Sequence, residues 1–260
     1  MNDISWLSNR WRSSGILEGD TVLLHSNIVR TLALLKKNGF KPSVDTILKS
    51  FIACIGNGTL IIPTFNFDFT KNAKFDIRNT PSHMGSLTEI ARTYPNSIRT
   101  GHPIYSFCII GKHSEFFNGI NNYSGYGSDS PFDILRKLDG KIAVLDLDEN
   151  KSMTFFHHVE EMNSVDYRFS KKFKGKYIDK DGKETEQTYA VYVRDLKKNI
   201  ETNLNRLGKK LWEENIYIGD MPNIATGLRV CRANRVYEYV NNLIVIGEAL
   251  GNLYEIKKKY

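Results

Sequence analysis

The sequence predicts an α/β protein: a single-domain α/β/α sandwich with a mixed central sheet and a β-hairpin insertion. Three observations carry this. Runs such as Thr59-Leu60-Ile61-Ile62-Pro63 and Ile142-Ala143-Val144-Leu145 are continuously apolar, as strands buried on both faces are. Segments with helical start and stop signals alternate with them. Late in the chain the polar pair Asp181-Gly182 separates two β-rich stretches, a hairpin signature. The 260 residues, 41% hydrophobic and 25% charged, suffice to bury a full core. No repeat or low-complexity linker divides them, so one compact unit over 1–260 is expected.

The elements follow in order. Residues 4–12 read as a short amphipathic helix anchored by Trp6, Leu7 and Trp11. Thr21-Val22-Leu23-Leu24-His25 reads as a buried strand that gives way to Ser26-Asn27. Pro42-Ser43 starts a helix to residue 55, closed by Gly56-Asn57-Gly58. Residues 59–63 form the second strand, with Thr64, Phe65, Asn66, Phe67 and Asp68 at its exit. The loop 80–85 leads into a helix with the capping box Ser86-Leu87-Thr88-Glu89. A third strand spans 104–110. Ser130-Pro131 opens a helix to residue 138, and a fourth strand covers 142–147. Beyond the hairpin a helix is expected over 196–214. Another spans 231–241 and precedes the apolar run Leu243-Ile244-Val245-Ile246.

No apolar run is long enough to span a membrane. The N-terminus lacks a signal-peptide core, so a cytoplasmic location is expected. Cys54, Cys108 and Cys231 are far apart and read as buried thiols. The net charge of +7 draws on the basic segment 168–176 and the terminal lysines 257–259. Such a field favours anionic ligands. A nucleic-acid or anionic-surface binding module is therefore an alternative, although no helix-turn-helix, zinc-finger or RNP pattern accompanies the basic segment.

The most informative stretch is Thr154-Phe155-Phe156-His157-His158-Val159-Glu160-Glu161. As a helix it puts Thr154, His157, Glu160 and Glu161 along one stripe. A hydroxyl, an imidazole and a carboxylate so placed are the parts of an oriented general base. His158 points about 100° away from that stripe. His157 and Glu161 also have metal-ligand spacing, but no HExxH accompanies them. A metal-dependent hydrolase is thus a minor alternative, and no metal is expected.

The order of short motifs resembles the aminoglycoside 3-N-acetyltransferase family, also called the antibiotic N-acetyltransferase family. His25-Ser26 is similar to the family's His-Ser-Ser, with Asn27 in place of the second serine. Gly58-Thr59-Leu60-Ile61-Ile62-Pro63-Thr64-Phe65 is similar to its Gly-Thr-Leu-Val-Met-Pro-Thr-Phe. Thr80-Pro81-Ser82 with Met84-Gly85 and Leu87, and Arg99 with His102-Pro103 and Ser106-Phe107, match its next two signatures. Ser130-Pro131 and Gly140-Lys141 come after. Thr154, His157 and Glu160 fall on Thr-x-Leu-His-x-x-Glu, with Phe156 for leucine.

The resemblance implies an acyltransferase that uses acetyl-coenzyme A. In it His157 is the general base, Glu160 holds or polarises the imidazole, and Thr154 lies beside the reacting thioester or the histidine. Ser26, Asn27, Ile28, Thr80, Ser82, Met84, His102, Pro103, Ser106 and Phe107 are the implied coenzyme A contacts. Asp68, Asp129, Glu161 and Arg168 are the candidates for the acceptor. Residues 20–165 would form the cofactor and catalytic core, and 166–230 would shape the acceptor site. Because aminoglycosides are polycations and this chain is basic, the expected acceptor is a nucleotide-linked amino sugar of surface-polysaccharide biosynthesis. An aminoglycoside drug, and with it antibiotic resistance, is the alternative. The oligomeric state is left open, a homodimer being one option.

Overall fold

The computed structural model describes residues 2–221 and 227–257. Its strands are β1 (Thr21–Ser26), β2 (Thr59–Pro63), β3 (Lys74–Asp76), β4 (Ile98–Arg99), β5 (Phe107–Gly111), β6 (Lys141–Leu145), β7 (Arg168–Ile178), β8 (Glu184–Arg194), β9 (Ile200–Thr202), β10 (Ile218–Gly219), β11 (Leu228–Arg232) and β12 (Tyr254–Ile256). Its helices are α1 (Asp3–Ser13), α2 (Val29–Lys37), α3 (Val44–Ile55), α4 (Phe69–Asn72), α5 (Ser86–Arg92), α6 (Pro131–Lys137), α7 (Glu149–Ser152), α8 (Phe155–Met162), α9 (Asn205–Glu213) and α10 (Ala233–Val245).

The central sheet has the order β10-β11-β6-β1-β2-β5-β4. β6, β1 and β2 are parallel, while β11 and β5 flank them antiparallel, so the sheet is mixed. Alternation along each strand divides the core in two. Leu23, Ile61, Ile109, Ile142 and Val144 join Phe132, Phe155, Val159 and Val236 from α6, α8 and α10. Val22, Leu24, Leu60, Ile62 and Ala143 join Leu7, Phe51 and Leu87 from α1, α3 and α5. Helices thus cover both faces, as expected of a sandwich. The hairpin β7–β8 is longer than its sequence signature and takes β3 as a third strand.

Several expected elements differ. α2 carries no start signal in the sequence: its first cap residue, Ile28, offers no side-chain acceptor. Ser86 does not cap α5. Gly85, at φ +105°, precedes the helix, and Glu89 accepts from the Ser82 N–H at 2.9 Å. The third strand starts at Phe107 rather than 104, because the N–H groups of Ile104 and Tyr105 turn back to His102 Nδ1. The fourth stops at Leu145, where Asp146 takes φ +51°. The helix expected over 196–214 begins only at Asn205. Asn199 is left-handed, and Ile200–Thr202 pairs with β12. Cys231 lies in β11 opposite Ile142, so the last helix starts at Ala233 and absorbs the run that begins at Leu243. Of the expected terminal lysines, Lys258 and Lys259 lie outside the described residues, as does the stretch 222–226 of the expected acceptor region.

Candidate active site

α8 is locked in place by its own apolar side. Phe155, Phe156 and Val159 are fully buried. His158, also fully buried, donates from Nδ1 to the Tyr126 carbonyl at 2.7 Å, while its Nε2 sits 3.6 Å from Asp133. This orientation leaves half-buried His157 on the wall of a cleft of about 850 Å³. The Tyr126 ring lies 5.3 Å from the imidazole, centroid to centroid, and Tyr105 lines the same wall. The opposite wall is the hairpin and the segment just after it, with Phe169, Lys171, Phe173, Arg194, Asp195 and Lys197.

His157 Nδ1 lies 2.7 Å from Glu160 Oε2. A carboxylate only accepts, so the proton sits on Nδ1 and the Nε2 lone pair is free to act as a base. Glu160 is itself buried, and Arg168 Nε lies 2.7 Å from the same oxygen. Burial alone would raise the Glu160 pKa, but Arg168 and His157 outweigh it and hold the carboxylate below its ordinary value. Burial lowers His157 from its ordinary 6.5, and the Arg168 charge lowers it further against the opposing pull of Glu160. The imidazole is therefore neutral at pH 7.

Thr154 opens α8, and its carbonyl accepts the His157 N–H at 3.0 Å. Glu161 turns to the other side, where it accepts from Ser124 Oγ at 2.8 Å. Burial raises its pKa, and the Asp129 charge contributes. Both carboxylates flank Gly127, where a Cβ would sit 3.1 Å from Asp129 Oδ1 and 3.9 Å from Glu161 Oε1.

The other expected site residues are spread over strand ends and the loops beside them. Asn27 is exposed; its backbone N–H donates to the Leu145 carbonyl and its Oδ1 accepts from Val29 N–H. Ser26, just before it, is half-buried, and Ile28, just after it, is buried. Thr80 Oγ1 accepts from Asp76 N–H, and Ser82 Oγ accepts from Met84 N–H. His102 is fully buried: Nδ1 accepts two backbone N–H groups and Nε2 donates to the Ala190 carbonyl. Pro103 beside it is buried. Ser106 Oγ donates to the Thr64 carbonyl and accepts from Arg99 Nε. Phe107 packs edge-on against Phe65 and Phe132. Asp68 is half-buried, 3.2 Å from His83 Nε2. Of all these expected residues, His157 and Arg168 line the large cleft. Sequence reasoning missed Tyr105 and Tyr126, and neither stands in a periodic pattern that would mark it.

The basic segment 168–176 does not form one cationic face. Arg168 turns inward, and Lys174 and Lys176 pair with Glu186 and Glu184 across the hairpin. Among the described residues no three His, Cys, Asp or Glu side chains converge as metal ligands, and no helix is long and apolar enough to cross a membrane.

A family model described as aminoglycoside 3-N-acetyltransferase matches residues 24–244. The chain belongs to that family. The family is one of acyltransferases, as the order of motifs implied. The SPbeta prophage-derived aminoglycoside N(3')-acetyltransferase-like protein YokD of Bacillus subtilis (strain 168) is 32% identical over 100 residues. That stretch is 38% of this chain and 34% of YokD, about a third of the relative's length. The crystal structure of YokD superposes with a TM-score of 0.75 at 19% identity over 95% of each chain. AAC-IIIb in binary complex with CoASH gives 0.76 at 18% identity, covering 94% of this chain and 96% of that one. Aminoglycoside acetyltransferase AAC(3)-Xa gives 0.76 at 20% identity, covering 96% and 92%. At such identities the likeness establishes the fold, and the family's fold is the one described above.

Proposed function

We propose that the protein is an acetyl-coenzyme A dependent N-acetyltransferase whose acceptor is an amino group of an amino sugar of the aminoglycoside class. One observation carries the reading: a neutral imidazole, oriented by a buried carboxylate, faces a large cleft in a chain of this family. Acetyl-coenzyme A supplies the acetyl group as a thioester. His157 Nε2 accepts the proton that the acceptor amine loses as its nitrogen forms the amide bond. Glu160 stabilises the imidazolium so formed, which returns the proton to the departing thiol. The balance is amine plus thioester to amide plus free thiol. The loops at 26–28 and 80–84 are our candidates for holding the cofactor. His102, Pro103, Ser106 and Phe107 support that groove through the turn they build. Asp68, Asp129 and Glu161 are the carboxylates offered to an acceptor ammonium, and Thr154 stays beside the reacting centre.

A second reading, an acceptor that carries an anionic group such as a nucleotide-linked amino sugar, has one observation in its favour. Lys171, Arg194 and Lys197 line the cleft, and none of them has an ion-pair partner among the described residues. The net charge points the same way, whereas the relatives are named for aminoglycosides. Thiol release measured with a panel of aminoglycosides and nucleotide-linked amino sugars separates the two. Turnover of neither class would sink the amino-sugar reading. His157→Ala is expected to lower turnover by about 10²–10⁴-fold with the fold intact; near-normal turnover would remove His157 from the mechanism.

A further inference from the structure

We propose that Arg168 is a positioning residue for the base: its guanidinium fixes the Glu160 carboxylate against His157 and ties that pair to the hairpin and to β9. The inference rests on the acetyltransferase reading and adds a residue to it. Arg168 opens β7 at the head of a lysine-rich strand, yet only 6% of its side chain is exposed. Its Nε and His157 Nδ1 approach the same Glu160 oxygen, each at 2.7 Å. Its outer nitrogens are used elsewhere. Nη1 donates to the Tyr192 carbonyl on β8 at 3.1 Å, and Nη2 to Thr202 Oγ1 on β9 at 3.3 Å. The two outer nitrogens thereby anchor the guanidinium on two other elements while its charge pairs with Glu160 of α8; a lysine ammonium, a compact point charge, does not reproduce that anchoring.

The charged and titratable groups facing the His157 cleft are Glu160 from its own helix, Arg168 and Lys171 from β7, Arg194 from the end of β8, Asp195 and Lys197 just after it, and the phenols of Tyr105 and Tyr126. Tyr167 and Tyr192 face the Glu160 side. Arg168 and Arg194 disfavour the imidazolium, whereas Glu160 favours it. Arg168 acts in two ways. It repels a charge on the imidazole directly, and it keeps Glu160 an ionised acceptor, so that the His157 proton stays on Nδ1. Without the guanidinium, the buried carboxylate beside His157 has no other counter-charge within contact among the described residues. The imidazole then takes up a proton at higher pH and cannot serve as base near neutrality.

The test uses Arg168→Gln and Arg168→Lys in the full chain. kcat/KM is followed from about pH 5.5 to about pH 9, and His157 is titrated by NMR with ¹³C-labelled histidine. In Arg168→Gln the acid limb and the NMR midpoint should both rise by about one pH unit or more. In Arg168→Lys the charge is kept and the midpoint should stay near that of the wild type. There kcat should fall about 10-fold or more with the KM for acetyl-coenzyme A unchanged, because a lysine lacks the paired bonds to Tyr192 and Thr202 that hold the charge against Glu160. An unmoved His157 midpoint in Arg168→Gln overturns the proposal, and so does wild-type turnover in Arg168→Lys. If Arg168→Gln does not fold, Arg168→Lys, which retains the buried cation, decides alone. The NMR midpoint needs no acceptor. A wild-type chain with no transferase activity would defeat the functional reading, while a raised midpoint in Arg168→Gln would still support the role of Arg168.

Discussion

A single carboxylate oxygen serves both the imidazole and the guanidinium, so Glu160 cannot be changed without altering two charged partners. In Glu160→Gln the amide oxygen can still accept from Nδ1–H, but it cannot balance an imidazolium. Arg168 is then left buried with no counter-charge. Turnover should fall by about 10–100-fold, and stability by roughly 3–5 kcal/mol, the range for breaking a buried ion pair from one side. Urea unfolding reads the second quantity. The pH dependence has a definite sign. His157 lies below its ordinary 6.5 in the folded chain, burial being the main cause. The base form is therefore present above that midpoint, so the limb that His157 contributes should lie below about 6.5, separate from any limb set by protonation of the acceptor amine. Glu160 opposes the lowering, so the limb in Glu160→Gln should move to still lower pH, opposite to the shift expected of Arg168→Gln. A His157 midpoint above its ordinary 6.5, read by NMR in the wild type, would contradict the lowered imidazole on which the assignment rests.

Between β2 and β5 two glycines bring backbone against backbone. A Cβ on Gly111 would lie 2.2 Å from the Gly58 carbonyl oxygen, at a φ of +124° that only glycine adopts readily. Gly111→Ala should therefore destabilise the chain by about 2 kcal/mol or more, seen as a lower urea midpoint with an unchanged slope. The strands themselves are unevenly legible in the sequence. β1, β2 and β6 can be read there because burial on both faces makes them continuously apolar. β7 cannot be bounded: its lysines are solvent-facing, and Lys174 and Lys176 pair across the hairpin with glutamates, so the sequence reads as a basic segment rather than a strand. β9 and the end of β11, Cys231 and Arg232, read as parts of helices because their strand character is conferred by β12 and β6, distant in sequence. The candidate site divides in the same way. His157 and Glu160 are legible because three-residue spacing on one helix already brings them together. Arg168, Tyr105 and Tyr126 reach them from other elements, and no local pattern encodes that meeting.

Across the whole molecule, the formal charge of +7 counts every histidine as neutral, and the fold keeps several of them so. Burial pushes His25 down to about 3, helped by the Arg229 charge, and His102 down to about 4. His157 and His158 are lowered for the same main reason. In the unfolded chain each of these would titrate near 6.5. Below that pH the unfolded state binds protons that the folded state refuses, so stability falls as the pH falls. His25 and His102 each contribute a slope of up to about 1.4 kcal/mol per pH unit between about 6.5 and their folded values. By pH 5 the two together cost roughly 4 kcal/mol, a large share of a typical domain's stability of about 5–15 kcal/mol. Most carboxylates are still ionised there, so the loss should precede ordinary acid unfolding. The urea midpoint should accordingly drop markedly between pH 7 and pH 5. His102→Gln separates this cause from general charge repulsion. Its amide can donate to the Ala190 carbonyl and accept from the 104–105 turn, as the imidazole does. The variant should be somewhat less stable at pH 7, yet its stability should decline less steeply with acid, by about 1.4 kcal/mol per pH unit. An unchanged slope would mean that His102 is protonated in the folded chain, which two backbone N–H groups pointing at Nδ1 do not permit.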